Sequence, residues 1–283
     1  AISILTTFGI LFSILFEAIE FFKLRSFWYF ITGATWSPGV IGSQFGALPI
    51  FAGTFVITII ALGVAIPVGL GSAIYMSEYA SANIRDYLKP LLEILAGIPT
   101  VVYGFFAAIT VAPLVVQIAE FFGLEATFNS ALASGVVMGI MIIPVISSLS
   151  DDVIRAVPDS QRKAAFALGM THGETIKNIV LPSAMPGIIS ASLLGLSKAL
   201  GETMIVVMAA GLRPNLSWNP LEDMTTVTVT IVNSLVGDFE FNSPETLSAF
   251  ALGLILFVVT LILNMISLSL IRKFKEKYKV NTL

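Results

Sequence analysis

Six long apolar stretches dominate the pattern of hydrophobic and polar positions along the chain. A helix that crosses a bilayer needs about 20 mostly apolar residues, because about 30 Å of hydrocarbon is spanned at 1.5 Å per residue. Lipid offers backbone amides no hydrogen-bonding partners, so each stretch is predicted to be helical. The predicted spans are residues 1–22, 50–76, 88–119, 130–150, 184–211 and 247–271. The predicted fold class is therefore an all-α membrane protein with six transmembrane helices.

The composition supports lipid as the solvent. Of the 283 residues, 56% are hydrophobic and 12% are charged, about half the charged share of an average soluble domain. So few charges cannot cover a water-soluble domain of this length. No linker or repeat divides the chain, so residues 1–283 are predicted to form one transmembrane domain. With no Cys and one His, no metal site is predicted, and neither is a catalytic residue or a nucleic-acid interface.

Basic residues between the predicted spans set the orientation, because Lys and Arg accumulate in cytoplasmic segments. They concentrate in the second and fourth connections and in the C-terminal tail, as Arg85, Lys89, Arg155, Arg162, Lys163, Lys177, Arg272, Lys273, Lys275, Lys277 and Lys279. The other connections carry mainly acidic residues, among them Asp238 and Glu240. Both termini are therefore predicted to be cytoplasmic. Lys23 and Arg25 favour the opposite placement of the first helix alone.

The start of the chain is apolar enough to resemble a signal peptide. Residues 1–22 lack a basic segment before the apolar run and a small-residue cleavage site after it. The stretch is therefore predicted to be a membrane anchor.

The fourth connection, residues 151–182, is too long for a simple link between helices. A first short helix is predicted to open after Pro158 with Asp159 as its N-cap. It is predicted to run through Leu168 and to stop near Gly169, since glycine commonly ends helices.

A second short helix is predicted after the first. Thr171 and Glu174 stand at capping-box spacing, which predicts a helix start, and the helix is predicted to end before Pro182. The pair of helices presents small and bulky apolar residues that a groove in a partner protein could receive. An amphipathic pair lying on the membrane surface is the alternative interpretation.

This connection resembles the "EAA" loop of ABC importer permeases. The resemblance rests on Lys163, Ala164, Ala165, Phe166, Ala167, Leu168 and Gly169, then Ile179, Val180, Leu181 and Pro182, then Pro186 and Gly187. In that family the loop is a coupling helix that sits in a cleft of a cytoplasmic ATPase. The resemblance implies coupling residues at Lys163, Ala164, Ala165, Phe166, Leu168, Gly169, Glu174, Leu181 and Pro182. Lys163 departs from the family's usual Glu, so the contact of that Glu is not carried over.

Two charged residues interrupt the fifth predicted span. Lys198 and Glu202 stand four residues apart, which predicts that they share a helix face and pair; an unpaired charge there costs about 2.5 to 3.5 kcal/mol. One interpretation is a structural ion pair, with Glu93 of the third predicted span as another member. The other is a translocation path in which Lys198, Ser197 and Thr203 meet an oxyanion, while Glu202 holds the cation when the path is empty.

The same region resembles the phosphate-specific transport (Pst) permeases. Matching strings are residues 199–204, similar to that family's "ALGETM" signature, residues 97–104, similar to its "GIPSVVYG", and residues 36–38 with 53–54, similar to its entry region. Because Met204 follows the Gly-Glu-Thr, the chain is nearer to PstC than to PstA. Lys198 stands where the family often has an Arg. The positive charge is kept, but the guanidinium group, which can bind phosphate through two hydrogen bonds at once, is lost.

The resemblance implies a permease subunit that forms the translocation path for inorganic phosphate in the cytoplasmic (inner) membrane of a prokaryote. It also implies a second, PstA-like permease subunit, two PstB-like ATPase subunits and an outer, PstS-like phosphate-binding protein. The chain has no G-x-x-x-x-G-K-[ST] loop, so it is expected to be no enzyme and to bind no cofactor, with ATP and Mg²⁺ on the ATPase partner. The alternatives are a permease for sulfate or molybdate, and an ion-coupled secondary transporter that uses Lys198, Glu202 and Glu93.

Overall fold

The computed structural model of the chain describes residues 2–39, 43–236 and 242–277. Ala1, Asp238, Glu240 and Lys279, which entered the predictions of the first span and of the orientation, lie outside the described residues. The described part is mostly helical. Its strands are two residues long, β1 (Trp36–Ser37) and β2 (Gln44–Phe45), and they pair antiparallel with Trp36 opposite Phe45.

The helices follow the apolar stretches of the sequence. Within the described residues they are α1 (Ile2–Leu24), α2 (Phe27–Thr32), α3 (Leu48–Ile74), α4 (Ala82–Ala96), α5 (Thr100–Phe106), α6 (Ala112–Phe121), α7 (Ala131–Arg155), α8 (Asp159–Ala167), α9 (His172–Thr175), α10 (Leu181–Leu200), α11 (Met204–Ala209), α12 (Val227–Val236) and α13 (Pro244–Lys277). A single π-helical turn at Tyr75–Tyr79 follows α3. A second at Ala107–Val111 joins α5 to α6, and a third at Ile176–Val180 joins α9 to α10.

The described residues contain six helical segments long and apolar enough to cross a membrane. They are Ile4–Leu24, Leu48–Tyr79, Thr100–Phe121, Ala131–Arg155, His172–Leu200 and Pro244–Lys273. The prediction of an all-α membrane protein with six spans is therefore confirmed.

The predicted third span, residues 88–119, is wrong at its beginning. The structure divides the stretch into α4 and the separate span Thr100–Phe121. The chain breaks just before Pro99, because a proline disfavours helical geometry at the residue that precedes it. No residue of α4 is buried. Glu93 belongs to α4, which ends before the third span begins, so the prediction that Glu93 lies in the third span is wrong.

The predicted fifth span, residues 184–211, extends too far at its end. α10 stops at Leu200, and the next three residues are not helical before α11 begins at Met204. Gly201 favours a break, because glycine in a helix costs about 1 kcal/mol relative to alanine. The carboxylate of Glu202 then accepts hydrogen bonds from the first amides of α11 and so favours a new helix start.

The chain folds as two compact units, each built from three stretches of sequence. Unit 1 comprises Ala1–Ile59, Thr100–Val137 and Leu200–Leu261. Unit 2 comprises Ile60–Pro99, Met138–Ala199 and Ile262–Leu283. The prediction of a single permease domain over residues 1–283 stays a prediction.

An aromatic cluster forms part of the core of unit 1. The fully buried rings of Phe21 and Phe30 meet edge to face with centroids 5.2 Å apart, and the ring of Phe45 lies 5.5 Å from that of Phe21. Edge-to-face contacts suit the charge distribution of aromatic rings. The cluster packs α1 against α2 and the short hairpin.

Glycines allow the helices of unit 2 to approach each other closely. A Cβ added to Gly69 of α3 would lie 3.0 Å from the Cβ of Ile146 in α7. A Cβ on Gly195 of α10 would lie 3.0 Å from the Cδ1 of the same isoleucine. Small residues commonly line such contacts in membranes. Both α3 and α10 therefore pack directly on α7.

Candidate coupling surface and polar residues of the spans

The first helix of the predicted coupling loop begins one residue earlier than the predicted N-cap at Asp159 would allow. Asp159 is the first residue of α8, and Pro158 precedes it with φ −59° and ψ 137°. The prediction of Asp159 as N-cap is therefore wrong, because proline already supplies the extended entry. The carboxylate in the first turn still complements the positive end of the helix dipole.

The end of α8 agrees with the prediction that Gly169 stops the helix. Gly169 has φ +83°, a left-handed conformation. Its N–H donates to the carbonyl of Phe166 at 2.9 Å, and the N–H of Met170 donates to the carbonyl of Ala165 at 3.2 Å. This is the hydrogen-bond pattern of a Schellman motif, which turns the chain sharply after a helix.

The second helix starts as predicted but does not end as predicted. Thr171 and Glu174 form a capping box, with the Glu174 N–H 3.3 Å from the Thr171 hydroxyl and the Thr171 N–H 2.8 Å from the Glu174 carboxylate. The helix then continues through the π turn Ile176–Val180 into α10, so the predicted end before Pro182 is wrong. Pro182 has no backbone N–H to donate, and the π turn just before it allows the helix to continue past it.

Five of the predicted coupling residues form an exposed surface along α8 and at its end. Phe166 is 45% exposed and Leu168 is 81% exposed, whereas Ala165 is buried. The other predicted coupling residues are exposed at Lys163, Ala164, Gly169 and Glu174, and half-buried at Leu181 and Pro182. We call Lys163, Ala164, Phe166, Leu168 and Gly169 the coupling surface.

One arginine of α8 contacts the ends of two membrane spans. The Arg162 guanidinium donates to a Glu78 carboxylate oxygen at 2.7 Å and to the Ile154 carbonyl at 3.0 Å, and it also donates to the Val157 carbonyl. Glu78 lies in the π turn that ends the second span. Sequence reasoning used Arg162 only for orientation and missed Glu78, although a charge at the end of an apolar stretch is a signal that could have found it.

A second set of ion pairs fixes α4 to the end of α7. The Arg85 guanidinium lies 2.7 Å from the fully buried carboxylate of Asp151, and the Lys89 ammonium lies 2.6 Å from the carboxylate of Asp152. The hydrogen bond that Arg85 donates to Asp151 is the main reason that the pKa of Arg85 is raised above its ordinary value, and burial opposes the shift. These pairs also went unpredicted.

Glu202 occupies the break between α10 and α11. Its side chain is buried, and its Oε1 accepts from the N–H groups of Met204 at 3.1 Å and Ile205 at 3.4 Å. Its backbone carbonyl accepts from the Thr228 hydroxyl at 2.9 Å. The predicted pairing with Lys198 at i and i+4 of one helix is wrong, because the helix ends at Leu200.

The other predicted path residues are distributed over several elements. Lys198 is half-buried on α10 and forms no ion pair with any residue the structure describes. Ser197 is exposed and lines a groove of about 300 Å³ within unit 2, together with Asn264 and Ser267. Thr203 is half-buried beside Glu202 in sequence, and Glu93 is exposed on α4.

A hydrogen-bonded carboxylate organises the segment between α11 and α12. The Asn215 amide donates to Glu222 Oε2 at 2.8 Å, and the Asn219 amide donates to Glu222 Oε1 at 3.1 Å. These bonds, with one from Ser217, hold the pKa of Glu222 below its ordinary value of 4.5, and the bond from Asn215 has the largest effect. The segment lies outside the six spans.

Comparison with known proteins places the chain among transport proteins. Residues 65–276 match the family described as binding-protein-dependent transport system inner membrane component. The chain is 34% identical over 251 residues to the probable ABC transporter permease protein YqgH of Bacillus subtilis, covering 89% of this chain and 78% of that one. It is 32% identical over 288 residues to the phosphate transport system permease protein PstC 1 of Mycobacterium tuberculosis, covering 91% and 85%.

Solved structures share the fold at low sequence identity. A chain of a bacterial ABC transporter involved in the import of the acidic polysaccharide alginate matches with a TM-score of 0.60 and 14% identity, covering 96% of this chain and 98% of that one. A chain of the MetNI methionine ABC transporter in inward facing conformations matches with a TM-score of 0.56 and 17% identity, covering 81% and 94%. The chain therefore belongs to the binding-protein-dependent transport system inner membrane components and is a multi-pass permease of the ABC importer type.

Proposed function

We propose that the chain is the PstC-type permease subunit of an ATP-driven importer of inorganic phosphate. Phosphate is proposed as the transported substrate because the chain is similar, over most of its length, to permeases named for phosphate transport. The exposed coupling surface supports the other half of the proposal, which is that a separate ATPase supplies the energy. We propose that ATP and Mg²⁺ bind to that partner.

The coupling surface fits the groove of a partner protein. An aromatic ring and a branched aliphatic side chain, Phe166 and Leu168, stand exposed beside the small residue Ala164. Exposed apolar groups at a helix end are a common anchor for helix-in-groove recognition. The proposed assembly joins this chain to a PstA-like permease, two PstB-like ATPases and an outer PstS-like phosphate-binding protein.

The proposed orientation follows from the same surface. A cytoplasmic ATPase requires the turn between α8 and α9 to face the cytoplasm. With six spans, that placement makes both termini cytoplasmic, which agrees with the distribution of Lys and Arg. The proposed location is the inner membrane of a prokaryote.

The proposed translocation path centres on Lys198. The residue is half-buried and its ammonium has no carboxylate partner among the described residues, so a passing anion could offset the cost of a cation in a span. We assign the hydroxyls of Ser197 and Thr203 to the same path. Glu202 is assigned to shaping the break at the start of α11, and Glu93 is the least supported of the five, because α4 lies outside the spans.

The test is phosphate uptake by the purified complex in lipid vesicles. Radiolabelled phosphate should enter only when ATP is supplied with the ATPase and the binding protein, and excess unlabelled sulfate or molybdate should not compete. Competition by sulfate would indicate another oxyanion as cargo. Uptake driven by an ion gradient without ATP would support the secondary transporter instead.

A matched pair of variants tests the ATPase contact. Leu168→Glu places a charge on the coupling surface and should abolish co-purification of the ATPase. Leu212→Glu alters another exposed leucine, 53% exposed and outside the six spans, and should leave the ATPase bound. Retention of the ATPase by Leu168→Glu would remove this surface from the proposal.

A further inference from the structure

We infer that Arg162 is the residue that transmits motion of α8 to the second and fourth membrane spans, with Glu78 as its buried counter-ion. The inference rests on the proposed function, because it describes how a docked ATPase would move this permease. It concerns a positioning residue adjacent to the coupling surface. Arg162 precedes Lys163, the first residue of that surface.

The contacts of Arg162 join three elements of unit 2. The residue belongs to α8, its carboxylate partner Glu78 belongs to the π turn after α3, and its carbonyl partners Ile154 and Val157 lie at the end of α7 and just beyond it. The planar guanidinium carries five donors in a fixed fork, so one side chain can satisfy acceptors from different elements at once. A displacement of α8 therefore acts on both spans through a single group.

Burial makes this connection stronger than a surface ion pair. The side chain of Glu78 is 6% exposed and that of Arg162 is 16% exposed. Charged hydrogen bonds in such surroundings are short and are screened little by water or salt. By contrast, the contact between Arg162 and Asp159 within α8 is 3.5 Å long, and the Asp159 side chain is 82% exposed. The guanidinium is therefore held mainly by the spans and only weakly by its own helix.

Stacked and edge-to-face ring contacts lie beside the same carboxylate. His172 of α9 stacks on Phe166 of the coupling surface with ring centroids 6.3 Å apart, and it meets Tyr79, the neighbour of Glu78, edge to face at 5.1 Å. The His172 Nε2 lies 3.9 Å from the other Glu78 oxygen. Phe166 of the coupling surface is thus connected through the His172 ring to Tyr79 at the end of the second span, beside the ion pair of Arg162 and Glu78.

Arg155 provides a matched control for Arg162. It is the last residue of α7, it is exposed, and it forms no ion pair with any described residue. In the reconstituted complex, Arg162→Gln and Glu78→Gln should each lower the phosphate transported per ATP hydrolysed by about tenfold. Arg155→Gln should leave the ratio at the wild-type value. The double variant Arg162→Gln/Glu78→Gln should lose no more than either single variant, since both changes remove one connection.

A cross-link separates transmission from folding. The chain has no cysteine, so Glu78→Cys/Arg162→Cys introduces its only two thiols. The purified complex with this variant should transport less phosphate per ATP hydrolysed than the wild type. A short bismaleimide, which joins the two thiols, should restore this ratio. N-ethylmaleimide, which modifies each thiol without joining them, should not. A residue needed only for folding would not be rescued by a tether between two side chains.

The outcomes separate the inference from the proposed function. If the wild-type complex couples hydrolysis to uptake but the Arg162 and Glu78 variants behave like Arg155→Gln, the inference is overturned and the proposed function stands. Failure of the bismaleimide to restore coupling, or failure of the cross-linked complex to assemble, also overturns the inference. A wild-type complex that transports no phosphate with ATP overturns both.

Discussion

The carboxylate of Glu202 lies 3.1 Å from the backbone nitrogen of Met204, and so it caps the short helix that Met204 begins. Sequence reasoning placed Glu202 inside a continuous span, where its only evident partner was Lys198. In the structure the carboxylate satisfies amides that the break exposes, one at Met204 and one at Ile205. A charged residue in a membrane segment can therefore be explained by backbone geometry before any ligand is considered.

Substitutions at Glu202 separate capping from charge. Glu202→Ala removes the acceptor and should lower the free energy of unfolding by about 1 kcal/mol, as loss of a helix cap does. Glu202→Gln keeps an acceptor oxygen without the charge and should retain wild-type thermal stability in detergent. Phosphate uptake of the Gln variant then reports on charge alone. Equal destabilisation by Ala and Gln would contradict the capping role.

Few substitutions should be tolerated at position 169, because the backbone conformation of Gly169 is left-handed. At φ +83° a side chain with a Cβ is strained, yet a Cβ placed there would meet nothing within 4 Å. Gly169→Ala should therefore cost about 1 kcal/mol from the backbone alone, and Gly169→Asn less, because asparagine enters the left-handed region more readily. Thermal unfolding of the purified permease measures both.

A control for Gly169 lies four residues further along the chain. Gly173 is helical, and a Cβ there also meets nothing within 4 Å. Gly173→Ala should leave stability unchanged or raise it slightly, because alanine favours helix. A loss at Gly173 equal to that at Gly169 would show that the left-handed turn is not the cause. Gly169→Arg should in addition block ATPase docking, seen as loss of co-purification.

How much the sequence could predict depends on whether a feature is local. The six spans, the stop at Gly169 and the capping box of Thr171 and Glu174 depend on neighbouring residues, and all three were predicted. The contact between Arg162 and Glu78 joins residues 84 positions apart. Apolar periodicity cannot specify such a pairing, because it indicates which residues are buried and not which charges meet.

Errors at span ends have a related cause. Residues 88–99 are apolar enough to extend the third span, but Arg85 and Lys89 pair with consecutive carboxylates at the end of α7 and hold α4 there. Hydropathy counts residues along the chain and does not detect this tertiary restraint. The break after Leu200 was missed because its stabilising bonds run from a side chain to the backbone of the next helix.

Protonation of Glu222 should destabilise the segment between α11 and α12 at low pH. Its pKa is lowered in the folded protein by hydrogen bonds, chiefly from Asn215. The folded state therefore binds the proton more weakly than the unfolded state does. This contribution to stability is fully present above the ordinary carboxyl pKa of 4.5 and is lost as the pH falls through the lower folded value.

Two variants isolate the Glu222 contribution. Asn215→Leu removes the largest cause of the pKa shift and should flatten the decline of stability below pH 4.5, as should Glu222→Gln. The exposed Glu125→Gln is a control outside the spans and should keep the wild-type profile. Melting temperatures measured across this acidic range would contradict the assignment if all four proteins declined in parallel.

The two ion pairs that hold α4 should differ greatly in energetic importance. Asp151 is fully buried, so Arg85→Met leaves a carboxylate without its partner and should lower the free energy of unfolding by about 3 kcal/mol. Lys89→Met removes the partner of Asp152, which is 53% exposed, and should cost about 1 kcal/mol or less. Arg85→Met/Asp151→Leu removes both buried charges and should recover most of the loss. If the double variant were as unstable as Arg85→Met alone, the penalty would come from lost packing of the arginine stem and not from an unpaired carboxylate.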